Sequence, residues 1–287
     1  MQKISLTGPS LKTNLHTHTT YSDGKHSLAE VVAAYETLDY DVLAITDHNR
    51  WQDHEGASTD RLLVMSSNEP SLMEREHLLA TGVHAPSPVD KGDRSSSRTQ
   101  EAIDWINDQG GFSTLNHPAW TGMSVDRLLE LKRYHSIEIY NAGCTGHASE
   151  YSLTHWDELL RSGRRVWGLA TDDSHSDWDC GLGWVELFCE LDEEAVLQAL
   201  RDGKFYASTG PRFEQIECDG SRLYVRTEPV MGIAVMSERG PVRVEHGGND
   251  TVQELEWDLS NRDDTFIRVE LRRHDGKKAW SNPLFFE

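Results

Sequence analysis

The histidines of this chain gather where chemistry would need them. Of 14, twelve lie between His16 and His175, and only His246 and His274 follow. They come in short runs beside carboxylates. LHTHTTYSDG carries His16, His18 and Asp23. AITDHN carries Asp47 and His48, Glu69 and His77 flank a short segment, LNHP carries His117, and ATDDSHS carries Asp172, Asp173 and His175. In an extended segment residues i and i+2 face the same way, so His16/His18 and Asp173/His175 can each aim two side chains at one cation. Nine positions (His16, His18, Asp23, His48, Glu69, His77, His117, Asp173 and His175) are competent metal ligands, and together they point to a polynuclear metal site.

The surrounding elements must bring them together. Residues 12–16, 42–46, 62–66, 78–83, 112–115, 137–140, 166–170 and 184–189 read as strands. Residues 27–38, 99–108, 125–134, 150–161 and 193–201 read as helices, the first with a Ser27/Glu30 capping box. Strands alternating with helices predict a parallel sheet, open or closed into a barrel. Most of the nine positions fall at strand ends, and active sites are built at the C-terminal end of such a sheet. After about Thr209 helical periodicity vanishes. Six short alternating runs from Phe213 to Arg272 are separated by turns such as Asp219-Gly220 and Asp275-Gly276. The expected organisation is an α/β domain over 1–208 and an antiparallel β module, sandwich-like, over 209–287. The polar stretch 85–98 reads as a loop.

Composition narrows the function. With 28 Lys and Arg against 48 Asp and Glu, the net charge is −20. Such a chain is a poor partner for phosphate backbones or anionic lipid, so neither nucleic acid nor membrane is expected. No apolar run is long enough for a signal peptide or a spanning helix, and four scattered cysteines make no disulfide framework. A reducing cytoplasm is the expected compartment. Other residues carry weaker expectations. His26, His84, His135, His147, His155, His246 and His274 read as structural or exposed, and His54, close after TDHN, either borders the site or is structural. Asp47 reads as a support for His48, and Asp172 as either facing away from the site or supporting its neighbours. Glu138 and Asn141 either reach the site or form a buried pair. Arg50, Lys91, Arg94 and Arg98 are candidate anion binders, and Trp120, Trp167 and Trp178 either line a pocket or fill the core.

The motifs LHTHTTYSDG, TDHN, Glu69/His77, NHP and DDSHS, in that order, resemble those of the PHP (polymerase and histidinol phosphatase) superfamily over residues 12 to about 208. The resemblance implies a distorted (β/α)7 barrel with two or three divalent metal ions (Mn, Fe or Zn) at the strand C-termini. It implies one metal on His16, His18, Glu69 and Asp173, a second on Glu69, His77 and His117, and a third on Asp23, His48 and His175. Asp at position 23, where the family often has His, favours Mn or Fe over Zn. The implied activity is hydrolysis of a small phosphate ester by a metal-bridged hydroxide, with Glu69, Asp173, His48 and His175 central to catalysis and inorganic phosphate as product. A shorter resemblance, in FYASTGP and AWSNPLF, is to the carbaryl-hydrolase-like branch. It keeps open a carboxylic or carbamate ester hydrolase using the same metals. A non-catalytic metal-binding module is the third reading, and the nine filled positions argue against it.

Overall fold

The computed structural model describes residues 3–72, 76–88 and 98–286. After a short strand β1 (Ile4–Thr7) and strand β2 (Leu11–Asn14), helix α1 (Leu28–Thr37) begins where the sequence caps it. The Ser27 hydroxyl accepts the Glu30 amide, and the Glu30 carboxylate accepts the Ser27 amide at 2.8 Å. Val31, Val32 and Tyr35 form the buried face of α1. Strands β3 (Val42–Ile45) and β4 (Leu63–Asn68) extend a parallel run from β2. Strand β5 (Leu78–Thr81) then runs antiparallel to both β4 and β6 (Phe112–Leu115). Strands β6, β7 (Ser136–Asn141) and β8 (Trp167–Thr171) are again parallel.

The sheet is therefore mixed rather than parallel. Residues 69–77, which join β4 to β5, are too few for a crossover, since a parallel neighbour needs about a dozen residues or more. The chain doubles back instead. Helices α2 (Arg98–Asp108), α3 (Pro118–Thr121), α4 (Val125–Glu130) and α5 (Leu153–Arg161) lie among these strands. Helix α4 is shorter than its apolar spacing predicts. Leu131 is already extended, and the Arg164 guanidinium takes the carbonyls of Leu129 and Leu131. Helix α5 starts later than predicted, because Tyr151 bridges to Tyr140 and only Ser152 serves as the cap. Strand β8 returns to β2: Thr17 and Ser174 form a parallel bridge, and His18 N donates to Ser174 O at 2.9 Å. The C-terminal ends of these strands thus face one another.

Strand β9 (Trp184–Leu187) pairs antiparallel with β2, and β10 (Phe205–Ser208), reached through α6 (Glu193–Asp202), pairs with β9. Beyond them come β11 (Phe213–Cys218), β12 (Arg222–Val230), β13 (Gly232–Ser237), β14 (Gly240–His246), β15 (Val252–Asp258), β16 (Phe266–Arg272), β17 (Lys278–Ser281) and β18 (Leu284–Phe285). The large sheet runs β14-β13-β16-β17-β10-β9-β2-β3-β4-β5-β6-β7-β8, with β18 on β16. A second, antiparallel sheet runs β1-β11-β12-β15. Leu6, Ile216, Leu223, Val225 and Leu255 of the second sheet share one core with Ile233, Val235, Ile267, Val269 and Leu271 of the first. Two findings go beyond the sequence reading. The N-terminal strand β1 joins the C-terminal β strands, and β10–β17 pairing carries one sheet across residue 208.

Candidate metal centre

The C-terminal strand ends converge on Glu69, which follows β4 and is wholly buried. Its Oε1 lies 3.3 Å from His16 Nε2, 3.1 Å from His77 Nδ1 and 3.6 Å from His117 Nε2. Its Oε2 lies 3.4 Å from His18 Nε2 and 2.7 Å from His48 Nδ1. Asp173 Oδ1 is 3.1 Å from both His16 Nε2 and His18 Nε2. Further out, Asp23 is 3.4 Å from His175 Nε2, 3.6 Å from His48 Nε2 and 3.8 Å from His18 Nδ1. All nine positions therefore meet in one cluster. Three subsets have ligand atoms close enough to share an ion: His16/His18/Glu69, His48/Glu69/His77, and His18/Asp23/His48/His175. His48 and His18 each serve two subsets, an overlap that the motif order did not suggest.

The donor set fits divalent cations. The His16 ring is completely buried, with Nδ1 held 2.7 Å from Glu138 Oε1. That contact places a proton on Nδ1 and leaves Nε2, which has no hydrogen-bond partner, as the atom turned toward the cluster. Nε2 faces oxygens of Glu69 and Asp173. Burial opposes protonation of His16, yet these carboxylates, with Glu138, push it well up, so a positive charge is favoured among the three, held either as a proton on Nε2 or as a metal ion that takes its place. Ligands at about 2.1 Å from one ion sit about 3.0–3.4 Å apart at octahedral or tetrahedral angles, and the separations around His16 and His18 fall there.

The electrostatics follow from the same convergence. Burial alone would push the Glu69 carboxyl up, but His16, His77 and His48 draw it well below the usual carboxylate range. Asp173 is held low against burial by His16 and His18, and Asp23 is held low by its hydrogen bond with His175. Burial opposes protonation of His175, yet Asp23 and Asp173 push it up to about 9. The carboxylates thus stay ionised, the form that binds cations.

Surrounding residues aim the cluster. Glu138 accepts from His16 Nδ1, His117 N, Thr171 Oγ1 and Asn141 Nδ2 at 2.7–2.8 Å. Asn141 also donates to Asp173 Oδ2 at 3.2 Å, and Asn116 to Glu69 Oε1 at 2.7 Å. Asp47 grips the 19–22 loop through the amides and hydroxyls of Thr19 and Ser22. Asp172 faces away, taking the amides of Gly181, Leu182 and Gly183 and the Tyr35 hydroxyl; burial pushes its carboxyl up to about 6. His117 and Asp173 adopt positive φ, 28° and 50°, a strain that persists only where surrounding contacts over-determine it. A Cβ at Gly143 would meet the Asp173 carbonyl oxygen at 2.7 Å, so only glycine lets the 142–147 turn approach so closely.

A cavity of ≈ 340 Å³ opens over the cluster. Of the weaker candidates, Trp120 and Trp178 line it. Trp167 instead donates to Arg201 O at 3.1 Å and packs against the core. Arg50 and Arg98 are not among the lining residues, and Lys91 and Arg94 lie outside the described residues. His54 is buried against Tyr21, outside the cluster. Sequence reasoning missed Lys25, Cys144 and His147, which also line the cavity. The SDGK spacing after the first motif was the available signal for Lys25. His147 belongs to no ligand pattern.

No protein-family model matches the chain, and no curated protein does. Solved structures do. A two-domain protein of Bacteroides vulgatus, containing a predicted PHP-like metal-dependent phosphoesterase, is similar over 96% of this chain and 95% of that one, at 15% identity and a TM-score of 0.56. PsfC of Pseudomonas syringae is similar over 67% of this chain and 88% of that one, at 14% identity and 0.49. An amidohydrolase of Chromobacterium violaceum, with bound sulfate and no metal, covers 57% and 87% at 15% and 0.43. The latter two superpose too loosely to inform this chain. The first likeness shows the fold: this chain shares the fold of that two-domain protein over nearly its whole length. The resemblance seen in the motifs is thus met by a resemblance in structure.

Proposed function

We propose that the chain is a metal-dependent phosphoesterase acting on a small phosphate ester, built on a distorted (β/α)7 barrel that the return of β8 to β2 would close. The observation that carries this reading is the bridging position of Glu69, with three imidazoles at one oxygen and two at the other. One carboxylate so placed can hold two cations. His16, His18, Glu69 and Asp173 would hold the first and Glu69, His77 and His117 the second. Asp23, His48 and His175, joined by His18, would hold a third. Bound there, Mn, Fe or Zn ions supply Lewis acidity toward a phosphoryl oxygen and acidify water.

The chain's own residues do the positioning. Glu138 keeps the His16 proton on Nδ1. Asn116 and Asn141 orient Glu69 and Asp173. Among the described Lys and Arg residues, Lys25 alone lines the cavity, and it would meet a phosphoryl oxygen or the anionic product. The cavity volume is at the small end of ligand sites, which suits a small ester over a polymer. Residues 209–287, with β1, form a β module that supplies no catalytic side chain. The predicted phosphoesterase named for the Bacteroides vulgatus protein agrees with this reading. No helix among the described residues is long and apolar enough to cross a membrane.

The test is a parallel kinetic screen of protein loaded with Mn²⁺, Fe²⁺ or Zn²⁺. Phosphomonoesters, cyclic phosphates and diesters are compared with aryl carbamates and carboxylic esters. Phosphate ester turnover, inhibited by inorganic phosphate, is expected. Turnover of carbamates or carboxylic esters alone would overturn the proposal.

A further inference from the structure

Trp178 has the largest exposed fraction among the described large apolar side chains, at 56%, yet it is not on a mobile tip. It sits in the short turn Asp177–Asp179, whose Asp179 is buried. The Asp179 carboxylate accepts from Ser174 Oγ at 3.2 Å, His175 N at 3.1 Å and Ser176 N at 2.9 Å. A second segment braces the turn: Lys25 N donates to His175 O at 2.9 Å, and His26 Nε2 lies 2.9 Å from Asp177 Oδ1. The fold therefore holds an indole in water on a fixed backbone, as part of the cavity wall that also contains His175 and Asp23.

Leaving an indole in water forgoes a large burial gain. Two occupants could recover it: a protein partner or the cavity's own ligand. Protein partners seek contiguous apolar patches. Here the chain neighbour that shares the surface with the indole is the exposed Asp177, and the indole stands in the wall of the cavity over the cluster. Position favours the ligand as well. Trp178 is three residues from His175, so their Cα atoms lie no more than about 11 Å apart along the chain. A phosphoryl group held at the metal cluster would leave the rest of a small ester within reach of the ring.

We propose that Trp178 is a specificity-determining residue whose indole stacks on a planar aromatic leaving group of the phosphate ester. The inference rests on the phosphoesterase reading and deepens it by naming the substrate class as aryl or heteroaryl phosphates. Trp120, which packs on His77 and His117 at ring-centroid distances of 6.0 and 5.0 Å, gives the same cavity a second aromatic surface. The exposed carboxylate of Asp177 beside the platform favours a neutral or cationic ring over an anionic one.

The experiment compares phenylphosphonate with ethylphosphonate, which cannot be hydrolysed, by calorimetric titration of the metal-loaded protein. Wild type, Trp178→Ala and Trp178→Phe are used. Wild type should prefer phenylphosphonate by about tenfold, the scale of one aromatic stacking contact. Trp178→Ala should lose that preference and Trp178→Phe keep most of it, with ethylphosphonate affinity unchanged throughout. Equal binding of the two probes by wild type, binding of neither, or a preference that survives in Trp178→Ala overturns the proposal. Turnover of phenyl phosphate is followed in parallel. Its absence, with the binding preference intact, defeats the phosphoesterase reading and leaves the aromatic subsite established.

Discussion

Replacing Glu138 by Gln tests whether the cluster is tuned from behind. The wild-type carboxylate is wholly buried and takes four donors on two oxygens: His16 Nδ1 and Thr171 Oγ1 on Oε1, His117 N and Asn141 Nδ2 on Oε2. A Gln offers one oxygen and one NH2. The His117 N–H is main chain and cannot turn away, so the amide oxygen belongs there and the NH2 faces His16 and Thr171. The Thr171 hydroxyl can rotate to accept. The His16 ring can accept only by moving its proton to Nε2, the atom that faces Glu69 and Asp173. A protonated Nε2 is no ligand. Metal affinity should fall 10- to 100-fold, the usual cost of losing a partner behind a metal-bound His, or about 1.4–2.8 kcal/mol. The lost charge-assisted hydrogen bond should cost the metal-free protein about 1–3 kcal/mol. Competition titration against a chromophoric chelator, with circular dichroism to confirm folding, reads both quantities. A folded Glu138→Gln protein that binds metal within twofold of wild type would refute the reasoning.

Other outcomes follow from the same geometry. Glu69→Ala should lower metal stoichiometry by two and abolish turnover; full occupancy measured by elemental analysis, with normal turnover, would remove Glu69 from its bridging role. Chelation should lower the melting temperature and added Mn²⁺ or Zn²⁺ restore it, by about 2.7 kcal/mol at a hundredfold excess over Kd; an unchanged melting curve would mean that no ion is bound. His246→Ala and His274→Ala should leave kcat unchanged, because both lie in the β module away from the cavity, and a loss of kcat with fold and metals intact would give that module a catalytic part. His135 is held down to about 4 by burial and by Arg201 and Arg133. Its folded value lies below the unfolded one, so stability is full above pH 6.5 and is lost as pH falls toward 4, by up to about 3 kcal/mol. His135→Gln should flatten that part of the acid limb in urea melts from pH 7 to 4, and an unaltered slope would contradict the assignment.

Most of what is local was legible in the chain. The Ser27/Glu30 box caps α1 because both partners lie within one turn. The buried strands show as short apolar runs, and the His and Asp pairs follow strand ends, which is why nine ligand candidates could be named from spacing. Strands β1, β10, β17 and β18 escaped: each spans four residues or fewer and is defined by pairing with a distant segment, β1 with β11, β10 with β9 and β17, and β18 with β16. Whether Glu138 touched the site or formed a buried pair also stayed open in the sequence, and the folded chain makes it both the partner of Asn141 and the support of His16. What only the tertiary structure decided is what depends on contacts between distant segments. The reversal of β5, the passage of β1 into the C-terminal sheet, the division of five imidazoles between the two oxygens of Glu69, and the meeting of Lys25, Trp120, His147 and Trp178 around one cavity belong to this group. Periodicity and capping report on neighbours within about four residues. Convergence is set by strand order and register, which no local pattern encodes.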